Sequence, residues 1–322
     1  MRVTSKVPGK CILFGEHSVV YGFPAISMAI PLNSICIVEE NKKDSIEINF
    51  KTNNEKFEGN TLEDIQRDIP FNYSQFISGL NSLKDKFGIA MKGVKIELSS
   101  DIIPNAGLGS SASTSIALIS AVSEFYDLNL QKADVLTYVL EMEKVTHGNP
   151  SGIDHTTCLY GNIIYYQKGS PFHIVYPPDD FQVLITYTNE VHNTKEVVTN
   201  VKKLKEEKSY LFDSLVDKIG FYTEIAELEF VSGNYEEVGK LMNFNQDLLS
   251  QLNVSNETIN RINETALKNG AYGSKLTGAG LGGCVITLGE EKVLKKISKI
   301  FKSQGYWNLI TTQDKNGAIT TK

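Results

Sequence analysis

The chain has 322 residues, 41% of them hydrophobic and 22% charged, and a formal net charge of −6. Apolar content on this scale fills a large core and excludes a disordered or fibrous chain, and the length suggests two domains or two fused lobes. The positive charge is nearly all lysine, with Arg2, Arg67 and Arg261 the only arginines, so the electrostatic footprint of a nucleic-acid binder is missing.

Cys11, Cys36, Cys158 and Cys284 stand far apart and form no CxxC pair. Neither a zinc ribbon nor a redox motif is indicated, and scattered thiols suit a reducing cytoplasm. Met1 to Lys6 carries no apolar run of the kind a secretory leader needs. No stretch approaches the roughly 18 apolar residues of a membrane span.

The N-terminal part reads as mostly β. Short runs rich in Val and Ile lie at Val3–Val7, Cys11–Phe14, Ala25–Ile30, Ile35–Glu39, Ser45–Phe50 and Gly93–Leu98, punctuated by glycines and polar clusters. One helix is expected over Tyr73–Phe87. At Ile103 to Gly107 the texture changes, and a glycine loop opens a helix of small residues, Ser111–Tyr126. A second helix follows over Lys132–His147, then a break at His147-Gly148-Asn149-Pro150 and a new helix from Ser151. Strands are expected at Asn162–Tyr166 and Phe181–Tyr187. Beyond Thr194 the pattern is amphipathic and helical, over Lys195–Glu207, Ser209–Phe230, Tyr235–Ser250 and Asn256–Lys268. A second glycine loop, Leu276 to Gly283, precedes a strand at Cys284–Leu288, and a last helix and strand follow. The class is α+β, with a strand-rich N-terminal lobe over residues 1–180 and a helix-rich C-terminal lobe over residues 181–322.

The first loop reads Pro104, Asn105, Ala106, Gly107, Leu108, Gly109, Ser110, Ser111, Ala112. A glycine loop feeding a helix N-terminus presents unpaired N–H groups and a positive dipole end to an anion. The plainer reading is a turn with a serine N-cap. Gly107 to Ala112 and Gly278 to Gly283 also fit the dinucleotide pattern GxGxxG/A. The first loop, however, follows a run of strands rather than βα alternation, and the second precedes a strand, so a Rossmann unit is set aside.

Glu143 falls near the middle of an apolar arc formed by Leu136, Val139, Leu140 and Met142. A carboxylate placed there needs either a lysine or a bound cation. Asp154 lies three residues after Ser151, so it is either half of a capping box or an acid held beside the end of the Glu143 helix, able to take or orient a hydroxyl proton. Lys10 opens a strand, and Glu16 and His17 sit on the turn after it. His147, His155, His173 and His192 have no metal-site spacing, and no GxSxG elbow supports a hydrolase.

Together these segments resemble the GHMP kinases. Pro8-Gly9-Lys10 with Gly15-Glu16-His17 is similar to the first signature of that family, Pro104 to Ala112 to the second, and Lys275 to Cys284 to the third. Gly15-Glu16-His17-Ser18-Val19-Val20-Tyr21-Gly22 and His147 to Asp154 resemble the mevalonate kinase branch. The resemblance implies a two-lobed kinase fold that binds ATP on Pro104 to Ala112 and moves its γ-phosphoryl to the 5-hydroxyl of mevalonate. Asp154 and Lys10 match the catalytic pair, and Ser111 and Glu143 the residues associated with Mg²⁺. Lys10, Glu16, His17, Asp154, Thr194, Gly278 and Ala279 match the substrate side. Thr114 stands where the second signature often carries an aromatic residue. A cytoplasmic enzyme is implied, without nucleic-acid or membrane partners and with a homodimer as the assembly left open. Another small alcohol as acceptor, such as a sugar or homoserine, and a non-catalytic sensor with the same fold are the alternatives.

Overall fold

A computed structural model describes residues 1–147, 151–191 and 194–322, except for the side chains of residues 146, 147, 194 and 195. The chain opens with two long antiparallel strands, β1 (Arg2–Phe14) and β2 (Ala25–Glu40). The sequence reading divides each of them in two. That division is corrected by the register, which jumps from Pro8↔Asn33 to Gly9↔Ile30. Pro31 and Leu32 are taken up as a bulge, which tolerates a proline and bends the strand without ending it.

β3 (Ile46–Phe50) and β4 (Glu55–Gly59) form a hairpin. They are followed by α1 (Leu62–Asp68), α2 (Ser74–Phe87) and β5 (Val94–Ser100). Neither β4 nor α1 is expected from periodicity, because both are short and polar. A capping box starts α1: Asp64 N donates to Thr61 Oγ1 at 3.2 Å, and Thr61 N donates to Asp64 Oδ2 at 3.0 Å. Three helices come next, α3 (Ser110–Phe125), α4 (Lys132–His147) and α5 (Ile153–Tyr160), then β6 (Ile163–Tyr166), β7 (His173–Val175) and β8 (Val183–Tyr187). The rest is α6 (Thr194–Glu207), α7 (Ser209–Ser232), α8 (Tyr235–Gln251), α9 (Glu257–Lys268), β9 (Gly273–Thr277), β10 (Cys284–Leu288), α10 (Glu291–Ser303), β11 (Asn308–Thr311) and β12 (Ile319–Thr321).

Two sheets organise these elements. The first runs β12-β1-β2-β5-β3-β4, with β6 and β7 added along the first residues of β2, and the second runs β11-β8-β10-β9. The expected α+β class is the one observed. β7 belongs to the first sheet and β8 to the second, so the sheets change over between residues 175 and 183, while β12 returns to pair with β1. α3 is buried on most of its surface and packs on β1 and β2. Ala112, Ser113, Ala117 and Ala121 let it sit close to the sheet. One apolar cluster lies under α1 to α5 and another within the helical lobe. A third joins Cys11, Phe14 and Leu108 to Phe230, Leu241 and Ile286, so the two lobes share a core. Among the described residues no helix is long and apolar enough to cross a membrane.

Candidate active site

The N-terminal lobe meets the helical lobe where β1 passes the loop before α3. Lys10 N donates to Leu108 O at 3.0 Å, which fixes the strand against the loop. Gly9 makes that approach feasible, since a Cβ there would stand 2.8 Å from Leu108 O. Gly107 and Gly109 have φ of 78° and 77°, a left-handed backbone that other residues adopt at a cost. Gly109 is the N-cap of α3 and makes no side-chain cap, so the serine N-cap reading is corrected. The first N–H groups of α3 are left for a ligand. The second glycine loop touches the first, and a Cβ on Gly278 would stand 3.0 Å from Gly107 Cα.

Lys10 is 2% exposed, and its Nζ lies 3.0 Å from Asp154 Oδ1 and 3.1 Å from Gly107 O. An ammonium has three N–H groups, so one remains for a further acceptor. Asp154 is on the first turn of α5, whose N-cap is Gly152 with φ of 90° and no side-chain cap. The capping-box reading of Ser151 and Asp154 is therefore corrected: the carboxylate faces Lys10.

Glu143 is 19% exposed rather than central to the buried face of α4, which is made by Val135, Tyr138, Val139 and Met142. Among the described residues a histidine stands beside it. Oε2 lies 3.0 Å from Nδ1 of the buried His155, close enough for an ion pair but not aligned as a hydrogen bond. Ser111 Oγ accepts from Gln75 Nε2 at 2.9 Å. Thr114 donates to Ser110 O at 2.8 Å and meets Ser34 Oγ at 3.0 Å, so a small polar cluster occupies that position.

On the turn after β1, His17 and Glu16 diverge. His17 has φ of 63° and is 9% exposed, and its Nε2 lies 2.9 Å from Ala279 O. A carbonyl only accepts, so Nε2 carries the proton and Nδ1 is left as an acceptor. Burial lowers its pKa to about 4, so the ring is neutral near pH 7. Glu16, expected to contact a substrate, is enclosed instead. Its carboxylate pairs with Lys275 from β9, both side chains are 0% exposed, and Asn245 Nδ2 donates to Oε2 at 3.2 Å. Burial pushes the Glu16 carboxyl up and the Lys275 ammonium down, and each charge opposes the other's shift. Thr277 completes the seam: its Oγ1 accepts from Ile12 N at 2.7 Å and donates to Ile12 O at 3.0 Å.

The loop Pro104–Ala112, Lys10, Asp154, His17, Gly278 and Ala279 thus lie along one seam. The side chains of His147, Thr194 and Lys195, and residues 148–150 and 192–193, on which other expectations rest, lie outside what is described. Sequence reasoning assigns no role to Lys275, Asn245, Gln75 or His155. Lys275 carries a usable signal, since a lysine inside Gly-Ser-Lys-Leu-Thr, a strand buried at every position, requires a partner.

Residues 75–162 match the GHMP kinases N terminal domain family, and residues 226–306 match the GHMP kinases C terminal family. The chain is 34% identical to a mevalonate kinase of Thermococcus sibiricus over 98% of each protein. The crystal structure of the Methanococcus jannaschii mevalonate kinase superposes with a TM-score of 0.85 at 32% identity, covering 97% of this chain and 98% of that one. The L. major mevalonate kinase in complex with R-mevalonate superposes with a TM-score of 0.80 at 28% identity, covering 95% and 94%. Likeness at this level over the whole length, with a glycine loop, a lysine and an aspartate meeting at one seam, places the chain in the mevalonate kinase family of GHMP kinases.

Proposed function

We propose that the chain transfers the γ-phosphoryl of ATP to the 5-hydroxyl of mevalonate, giving 5-phosphomevalonate and ADP. The observation that carries this reading is the Lys10 ammonium, held 3.0 Å from Asp154 and 3.1 Å from the carbonyl of Gly107 in the phosphate loop. Phosphoryl transfer passes through a state with charge spread over equatorial oxygens, so positioning and fixed charge do most of the catalysis. The N–H groups of Gly107 to Ser111 and the start of α3 bind the phosphates. The third N–H of Lys10 points its charge at the transferred group. Asp154 orients the primary hydroxyl and receives its proton as the bond to phosphorus forms. His17, neutral and with Nδ1 open, accepts a hydrogen bond from the remainder of the acceptor, beside Gly278 and Ala279. Glu16 contributes by holding the turn that bears His17.

Mg²⁺ takes few protein ligands beside phosphate oxygens, commonly a carboxylate or two with hydroxyl and water. Glu143, partly exposed, and Ser111, on the first turn of α3, offer such donors, and among the described residues no cluster of three or more His, Cys, Asp or Glu competes for a cation. A metal held there would neutralise phosphate charge. Four buried free thiols fit a reducing, cytoplasmic setting.

The test is a coupled assay of ADP release with mevalonate and a panel of small alcohols, followed by phosphorus NMR of the product. A primary phosphate ester couples to methylene protons and a tertiary one does not. Absence of that coupling would overturn the 5-hydroxyl assignment, and inertness toward mevalonate would move the acceptor to another alcohol.

A further inference from the structure

Gln75 stands at the start of α2 and is 4% exposed. Its Nε2 donates to Ser111 Oγ at 2.9 Å, so the serine oxygen is the acceptor and its own proton must leave in another direction. Among the described residues no acceptor receives it. Two other hydroxyls near it on the helix differ: Ser113 donates to Val7 O and Thr114 to Ser110 O, both at 2.8 Å. Of these three, Ser111 alone keeps its proton for a ligand.

Gln75 is also held firmly. Tyr73 stacks on Phe50 with ring centroids 4.1 Å apart, Phe76 lies 5.6 Å from the same ring, and Phe76 and Ile77 belong to the core of the N-terminal lobe. Packing alone would be satisfied by Met or Leu. A buried amide is costly unless its hydrogen bonds are made, so the polar residue has a use beyond filling space.

We propose that Gln75 is a positioning residue for the nucleotide. By donating to Ser111 it turns that hydroxyl so that the proton and the remaining lone pair both face the phosphates at the start of α3. Gln75 itself touches no substrate. The inference rests on the phosphoryl-transfer reading above and deepens it.

The test compares the full chain with Gln75→Met, Ser111→Ala and the double variant. Calorimetry with a non-hydrolysable ATP analogue reads binding without turnover, and steady-state assays read KM for ATP and for mevalonate. Gln75→Met is expected to weaken the analogue about 5- to 10-fold, the scale of one lost hydrogen bond, with KM for mevalonate unmoved. The double variant is expected to bind no more weakly than Ser111→Ala alone, because the two residues act as one unit. Unaltered binding by Gln75→Met, or effects that multiply in the double variant, would overturn the proposal. Gln75→Glu is the control for folding: it keeps the shape but accepts the Ser111 proton and draws it away from the phosphates. It is expected to weaken the analogue at least as much as Gln75→Met, and parental affinity in that variant would also overturn the proposal. An unmodified chain that fails to bind the analogue would instead overturn the phosphoryl-transfer reading itself.

Discussion

Two lysine–carboxylate pairs flank the seam between the lobes, and they differ in one respect. Lys10 and Lys275 are both buried, but Asp154 keeps 34% of its side chain exposed while Glu16 keeps none. In the sealed pair every charge is answered from within the protein, by the partner, by Asn245 and by the carbonyl of Leu276. Such a pair holds a shape, and with neither side chain exposed it is closed to a ligand from the cleft. In the open pair the lysine is fixed while the carboxylate still reaches the cleft. The same two side-chain types therefore divide into a frame and a tool, according to which of them meets solvent.

The sharpest way to break this division is Lys275→Met, which leaves a buried carboxylate without its cation. A loss of about 3–5 kcal/mol in unfolding free energy is expected by denaturant titration, and the double variant Glu16→Gln/Lys275→Met should regain most of it. A single variant as stable as the parent would remove Lys275 from the frame. Asp154→Asn tests the other pair. Turnover should fall at least about 100-fold, with a smaller stability loss than in Lys275→Met, because Asp154 is partly exposed and the amide oxygen can still accept from Lys10. Near-normal turnover with a large stability loss would make the two pairs alike.

His17 sharpens the comparison, because its turn adjoins the frame while its ring lies against the second glycine loop. Its folded pKa, about 4, lies below the ordinary 6.5 because the ring is buried. As pH falls below 6.5 the unfolded chain takes a proton that the folded chain refuses. Stability contributed by the neutral ring is therefore full above pH 6.5 and lost as pH drops toward 4, by on the order of 3 kcal/mol. His17→Leu should flatten that decline and weaken mevalonate by about 5- to 150-fold, the scale of one lost polar contact, with little change in KM for ATP. A pH profile identical to the parent's would detach His17 from the frame. The smallest effect is expected from Glu143, intermediate in exposure and set beside His155. Glu143→Gln should raise the Mg²⁺ concentration needed for half-maximal rate by about tenfold, since a neutral amide is a weaker donor to a hard cation. An unchanged metal titration would assign Glu143 to the frame.

The helices from Tyr235 onward are legible in the sequence because amphipathic spacing persists over three or more turns. The long strands are not read whole: Pro8-Gly9 and Pro31 look like terminators, and only the partner strand shows that a bulge absorbs them. The tool is more legible than the frame. Lys10 and Asp154 are picked out by the family resemblance rather than by their own local patterns, and the structure brings them and the loop at Gly107 within 3.1 Å. The frame depends on pairs such as Glu16 and Lys275, which are 259 residues apart, and no local pattern announces them. Glu16 reads on its own as an ordinary polar residue on a turn, until the strand that covers it is known.

β12 has a consequence for synthesis. Thr4 pairs with Thr321, so the outer edge of β1 is covered by a strand made long after it. On the ribosome, residues 2–14 are complete well before residues 319–321 leave the exit tunnel, and in that interval a β1 already paired with β2 would show an open row of backbone donors and acceptors on its other side. An uncovered edge of that kind invites pairing with another nascent chain. Three short residues, Ile319 to Thr321, therefore act as a late seal, and their removal would be felt first as aggregation during expression rather than as a change in the finished enzyme's chemistry.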